Sequence, residues 1–344
     1  MTVLKSLSIA ARIVMEMHAL NNEGNESNRL MTRQVGIVTP TYNEDHLMDG
    51  FNRSTVNAIS GDMNKHIFVD YFHHIALERG LPLCEACKAL DPARMMGNPE
   101  FRAWMEEKDK HTSADVIDRL LTCSLDDVGG ILITAGGASI KRKSAVEFGW
   151  TVALPGASEV QEFIHARHAV TRVNRTRIDK DSDKETKAQA DSDKEANIGQ
   201  MIFNRPASSG VYAFVAHVDA CAIGFNDITQ QYPISAAERA ERLRAVLASL
   251  AQTLLHPKGA LTSTQLPHVV EIEGFVSVSQ TAAAAPLISP LTDNYIGRSM
   301  DIAHGINRLH GANAVDILPF AGGENLLGQL ATLFETSTPG TYRG

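Results

Sequence analysis

Residues 6–18 alternate with a period of two. Leu7, Ile9, Ala11, Ile13, Met15 and Met17 fall on one side, and Ser6, Ser8, Arg12, Glu16 and His18 on the other. Such a segment is a strand with one buried face, and it demands a sheet and a covering layer. The rest of the chain supplies both. Residues 56–79 carry a helical pattern closed by Gly80 and Pro82. Residues 163–173 read as extended, and residues 211–218 are apolar on both faces, as a central strand would be. Ser235-Ala236-Ala237-Glu238 is a capping box, opening a helix on which Ala240, Leu243, Leu247, Leu250 and Leu254 form one apolar stripe. Residues 268–278 alternate again, with Val270, Ile272, Val276 and Val278 on one face. With the intervening segments set aside, the order is strand, helix, strand, strand, helix, strand. It predicts an α+β fold with the ferredoxin-like split βαβ arrangement that RNA-recognition domains also use. That topology hosts many activities and assigns none by itself.

Composition narrows the function classes. The 344 residues include 32 Lys and Arg against 40 Asp and Glu, a net charge of −8, with 44% hydrophobic residues. This is ample for a core, and it excludes a uniformly basic nucleic-acid coat while leaving room for a local basic path. Four cysteines do not make a secreted disulfide scaffold. Arg12 and Glu16 interrupt what would have to be the apolar stretch of a signal peptide, and no uninterrupted run of about 18 apolar residues occurs. A cytoplasmic protein with no membrane partner is expected. Residues 179–196 repeat Asp-Ser-Asp-Lys-Glu and contain no apolar residue larger than alanine, so they are expected to form a mobile excursion.

Several constellations could carry chemistry. His165, Arg167, His168, Arg172, Arg175 and Arg177 follow one another with no acidic residue among them, and Gln200, Met201, Ile202, Phe203 and Arg205 return from the acidic repeat. An arginine-rich hairpin can reach phosphates, and an aromatic or Met side chain on it can stack on a base; a solvated strand balanced by the acidic repeat fits equally. Ser60-Gly61 opens a helix, with Lys65 and His66 one turn in, an arrangement suited to an anion or to an ordinary N-cap. Gly136-Gly137 precedes Lys141 and Arg142 but matches neither a Walker A motif nor a dinucleotide fingerprint. It suits close approach to a nucleic-acid strand or a tight strand connection.

Cys84 and Cys87 form a CxxC pair. Zinc would need two further ligands, from Cys123 and His73, His74 or His111. Ordinary helix cysteines are the preferred reading, and no metal or other cofactor is expected. No GxSxG or HExxH pattern and no DxD-like carboxylate cluster on a strand end appears, and the His66–Asp70 spacing is common on helix surfaces. Nothing here demands an enzyme.

Five short motifs in order resemble one family: Leu20-Asn21-Asn22, Ser60-Gly61 through His66, Asp127-Val128-Gly129-Gly130 through Gly136-Gly137-Ala138, Ile164-His165-Ala166-Arg167, and Gln200-Met201-Ile202-Phe203-Asn204. They are similar to the DevR-type backbone subunit of type I CRISPR surveillance complexes (Cascade). The resemblance implies one hand-shaped domain over 1–344. Its palm is a modified RNA-recognition-like unit, with finger-type insertions at 20–55 and 81–126 and a thumb hairpin at 163–205 bearing the acidic tip. It also implies copies stacked along a guide RNA (crRNA), each thumb displacing a base at intervals, other Cascade subunits as partners, and target DNA read by pairing with the guide. The RNA-contact candidates it carries over are Asn21, Asn22, Ser60, Gly61, His66, Gly136, Gly137, His165, Arg167, Gln200 and Met201; Lys65, Lys141, Arg142 and His168 join on charge. The RNA-cleaving type III relatives use an aspartate after the first strand, where this chain offers Glu23 and Glu26. A non-catalytic guide-binding subunit is therefore expected. The alternatives are an RNA endonuclease using Glu23, Glu26 or His66, and a transcriptional autoregulator, for which no recognition helix is evident.

Overall fold

The computed structural model describes residues 2–26, 29–45, 47–107, 111–135, 138–168, 200–311 and 313–343. Its strands are β1 (Thr2–Leu4), β2 (Ser6–His18), β3 (Asn22–Glu26), β4 (Arg29–Thr32), β5 (Gln34–Tyr42), β6 (Met48–Ile59), β7 (Ile131–Ala135), β8 (Ala138–Arg142), β9 (Val146–Phe148), β10 (Thr151–His168), β11 (Gln200–Asp219), β12 (His268–Ser279), β13 (Val315–Ala321) and β14 (Ser337–Pro339). The helices are α1 (Gly61–Glu78), α2 (Glu85–Lys88), α3 (Pro99–Met105), α4 (Ser113–Leu121), α5 (Ser124–Gly129), α6 (Ala236–Leu255), α7 (Tyr295–His310) and α8 (Gly323–Thr336). The acidic repeat 179–196, the arginines at 172, 175 and 177, and Gly136 and Gly137 lie outside the described residues.

One sheet organises the molecule, in the order β13-β12-β2-β11-β10-β6-β5. The pairs β2–β11, β2–β12 and β10–β11 are antiparallel, so the fold is α+β with an antiparallel sheet, as expected. The main core joins β2, β6 and β11 to α1, α6 and α8 through Leu7, Ile9, Phe68, Phe72, Tyr212, Leu247 and Leu330. All five residues of the α6 stripe are buried.

The period-two reading of β2 needs correction: Ser6, Ser8 and Ala10 are buried as well. A second cluster containing Ala10, Phe275 and Tyr295 covers the opposite face with α7. The polar residues there bond to the segment that caps them: Ser8 Oγ donates to the Ala285 carbonyl (3.1 Å) and Ser277 Oγ to that of Pro286 (2.6 Å). Small hydroxyls satisfied by a covering segment imitate a solvent face in sequence.

Three other readings differ. The helix expected from residue 56 begins at Gly61, because residues 56–59 extend β6 and Ile59 pairs with Thr151. Short apolar runs fit strand and helix alike. Val270 is 62% exposed, since a register shift between Val269 and Glu271 turns it out of line with buried Ile272. The capping box at Ser235 is half formed: Ser235 Oγ accepts from Glu238 N (3.2 Å), while the Glu238 carboxylate is taken by Arg242. A full box stands instead at Thr112 and Asp115.

His18 closes β2 at 2% exposure, its ring edge-on to Tyr212 at 5.0 Å and neither nitrogen hydrogen-bonded. Burial lowers its pKa from 6.5 to about 4. In that interval the unfolded chain binds the proton and the folded chain does not, so stability falls as pH drops from 6.5 towards 4, by up to about 3 kcal/mol. Urea unfolding across this range is expected to show that loss, and His18→Phe to remove it; an equal pH slope in the variant would rule His18 out as its source.

Candidate nucleic-acid interface

The end of β2, the start of α1 and the base of β10 meet at one place. Asn21 Oδ1 accepts from Ser60 N (2.8 Å), Ser60 Oγ accepts from Met63 N (3.2 Å), and Asn64 Nδ2 donates to the Gly149 carbonyl (3.1 Å) and Thr151 Oγ1 (2.9 Å). Ser60 is thus the N-cap of α1, and the Asn21 side chain supports the turn that leads into it. Gly61 is there for space: a Cβ would lie 2.7 Å from the Phe148 carbonyl oxygen. Asn22 follows half-buried on β3, its Oδ1 without a hydrogen-bond partner.

Lys65 and His66 project from the first turns of α1 into a cleft of about 460 Å³ lined also by Asp62, Asp70, Leu90 and Arg94. His66 is exposed and Lys65 half-buried. Burial, then the neighbouring Arg94 and to a lesser degree Lys141, hold the Lys65 ammonium below its ordinary pKa, against the opposing pull of Asp62 and Glu147. The Arg94 and Lys141 cations thus act on Lys65 against the carboxylates of Asp62 and Glu147, and a bound anion would add to the carboxylates' side. Lys141 is exposed on β8, in the hairpin whose connection holds Gly136 and Gly137.

Arg142, expected from its charge to join them, points elsewhere. It is 5% exposed, paired with Asp127 and donating to the carbonyls of Phe225 (2.9 Å) and Ala222 (2.6 Å). Asp127 also binds Arg242 (2.6 Å) and accepts from Gly224 N (2.9 Å), so this arginine is a structural strut. A one-residue step along a strand reverses the face, which composition alone cannot resolve.

The hairpin candidates lie on β10 and β11. The register pairs His165 with Phe203, Arg167 with Met201 and His168 with Gln200. A bulge over residues 154–157, where Pro155 and the left-handed Gly156 (φ 74°) interrupt the ladder, separates the packed base of β10 from its outer arm. On that arm Phe163, Ile164 and His165 are exposed. Sequence reasoning missed three neighbours of the site. Trp150, 42% exposed just before β10, carries the Arg33 guanidinium 5.7 Å above its ring. Arg94 is held by the Leu125 carbonyl (3.0 Å) and Asp126 (3.7 Å). One of only two tryptophans, beside a glycine, was the readable signal; the arginines had none.

Of the alternative catalytic residues, Glu23 and Glu26 both fall on β3, Glu23 exposed and the Glu26 side chain outside the described residues, and His66 is on α1. His73 Nε2 faces the Lys88 carbonyl (3.0 Å) and His111 stacks on Trp104, so neither joins the cysteines.

A family model described as "CRISPR-associated negative auto-regulator DevR/Csa2" matches residues 9–300. This chain belongs to the DevR/Csa2 family. The resemblance carried by the five motifs is borne out at that level. Among relatives of the family, the CRISPR-associated protein Cas7/Csa2 1 of Saccharolobus solfataricus is 23% identical over 295 residues, 84% of each chain. The CRISPR-associated protein Cas7/Cst2/DevR of Methanocaldococcus jannaschii is 24% identical over 311 residues, 88% of this chain and 90% of its own. A solved chain described as "CRISPR RNA-guided surveillance complex, pre-nicking" aligns over 95% of this chain and 99% of its own, with a TM-score of 0.44 and 10% identity. Among the described residues, no helix is long and apolar enough to cross a membrane.

The two neighbours on β8 give a direct contrast. Arg142→Ala leaves Asp127 buried and half-paired and is expected to cost about 3–5 kcal/mol in urea unfolding. Lys141→Ala is expected to stay within about 0.5 kcal/mol of the parent. Equal stability of the two variants would return Arg142 to the surface.

Proposed function

We propose that this DevR/Csa2-family chain is a non-catalytic guide-RNA-binding backbone subunit of a type I CRISPR surveillance complex. It oligomerises along the RNA and leaves the guide free to pair with target DNA. The observation that carries the reading is the convergence of Asn21, Ser60, Gly61, Lys65 and Lys141 at the base of the long β10–β11 hairpin. Family membership and the Cas7/Csa2 relatives, CRISPR-associated by name, support it.

In this reading the sheet strands β12-β2-β11-β10 are the RNA-recognition-like palm, their antiparallel order being that of the split βαβ arrangement. Residues 20–55 and 81–126 are its fingers and 163–205 its thumb. Backbone amides at the Ser60-Gly61 turn and the Gly136-Gly137 connection approach phosphates closely. Lys65, Arg94 and Lys141 supply charge, and Trp150 offers a face for a base. His66, Asn22, His165, Arg167, His168, Gln200 and Met201 continue the path along the hairpin. Val38, Tyr42, Met48 and Phe51, exposed along β5 and β6, suit contact with the next copy or another subunit. The protein works in the cytoplasm, where guide and target reside.

The family description favours one second reading, an autoregulator that binds duplex DNA. Co-expression with a guide array separates the two. A discrete protected RNA and a raised A260/A280 ratio are expected for the guide-binding subunit; protein that purifies free of RNA but retains duplex from its own upstream region would favour the regulator. Replacing Lys65 and Lys141 by alanine is expected to weaken RNA binding and reduce the salt slope by about 1.4, at about 0.7 per single-strand phosphate contact. An unchanged slope would remove both lysines from the path.

A further inference from the structure

The one motif that guide binding leaves unused is the CxxC pair, and the fold completes it. Cys84 is the N-cap of α2 and Cys87 lies three residues on; Cys123 is the N-cap of α5 and Asp126 lies three residues on. The four donor atoms all fall within 4.8 Å of one another. Asp126 Oδ2 is 3.5 Å from Cys87 Sγ and 3.9 Å from Cys84 Sγ. A tetrahedral zinc with sulfur bonds of 2.3 Å requires donor separations of about 3.8 Å. The four side chains already stand near that shape.

Two independent features point to a cation. Amides are aimed at the sulfurs: Cys87 N donates to Cys84 Sγ and Cys84 N to Cys123 Sγ, both at 3.4 Å. Bonds of this kind orient and stabilise thiolate ligands. Asp126 is fully buried and its Oδ1 has no hydrogen-bond partner, with the Arg94 guanidinium 3.7 Å away. A buried carboxylate facing three sulfurs is costly unless a cation compensates it. Cys87 and Cys123 are fully buried and Cys84 half-buried, so the site is closed, as structural zinc sites are.

We propose that Cys84, Cys87, Cys123 and Asp126 bind one zinc ion in a closed four-coordinate site. Soft thiolates select against magnesium and calcium, and binding releases the three thiol protons to solvent. The sequence pointed to a histidine as the fourth ligand, whereas the fold brings Asp126. The ion joins the two ends of the 81–126 segment, already held by Ser124 N donating to the Pro82 carbonyl (2.8 Å), and fixes Asp126 beside Arg94. Its role is structural and does not depend on what the protein binds.

The test is elemental analysis of full-length protein purified under reducing conditions without chelator, followed by cobalt titration of the metal-depleted chain. About one zinc per chain is expected, with a thiolate-to-cobalt charge-transfer band and tetrahedral d–d bands, and a lower Tm in chelator. Cys123→Ser is expected to lose the zinc. Should that variant not fold, Cys84→Ser, at the half-buried position, is expected to lose the charge-transfer intensity of one sulfur, and Asp126→Asn to shift the d–d bands. Metal-free protein that gives no cobalt charge-transfer band overturns the proposal. So does a Cys84–Cys87 disulfide detected by thiol counting before reduction.

Discussion

One buried carboxylate holds the parts of this molecule in register. Asp127, within α5, lies between the guanidinium groups of Arg142 on β8 and Arg242 on α6, and it also receives the Gly224 amide. Desolvating three charges is expensive, and close pairing with added hydrogen bonds offsets it, although the Nε atoms of Arg142 and Arg242 are left without a partner. Here the arginines also reach the carbonyls of Leu121, Ala222 and Phe225. A hydrophobic cluster could pack these elements in several ways; a bidentate carboxylate with two fixed donors accepts few. The hairpin that presents Lys141 and the helices that flank the cysteine cluster therefore take their positions from Asp127.

That arrangement bears on how an acidic chain could accommodate the proposed anionic ligand. The net charge of −8 includes −3 from residues 179–197 alone. Against this background burial, and after it the neighbouring Arg94 and Lys141, lower the Lys65 pKa. Local placement outweighs the sum, because at physiological salt an exposed charge acts over about 8 Å. The helix entry at Ser60 stands beside this patch, since Lys65 lies one turn into the same helix.

Legibility in the sequence followed the physics of each segment. The α6 stripe and the apolar run of β11 were readable because long periodic patterns admit one structure. The end of β6 was not, since residues 56–59 fit a helix as well as a strand. The second buried face of β2 was hidden by Ser6, Ser8 and Arg12, whose polar atoms bond to a covering segment nearly 280 residues away. Within the site, Ser60 and Gly61 were legible from helix-entry chemistry, and Lys65 and Lys141 from charge. Arg142 misled for the same reason: charge in sequence does not say whether a partner is waiting inside. Asp126 was invisible as a ligand, because its pairing with Cys84 and Cys87 exists only once α2 and α5 are docked.

The proposed RNA path over the surface is open to a direct test. Ultraviolet cross-linking of the assembled complex, read by mass spectrometry, maps that path residue by residue. Cross-linked peptides are expected at 60–66, 138–150 and along the outer arm of β10. Cross-links confined to α8 and β13, with none at the start of α1, would contradict it.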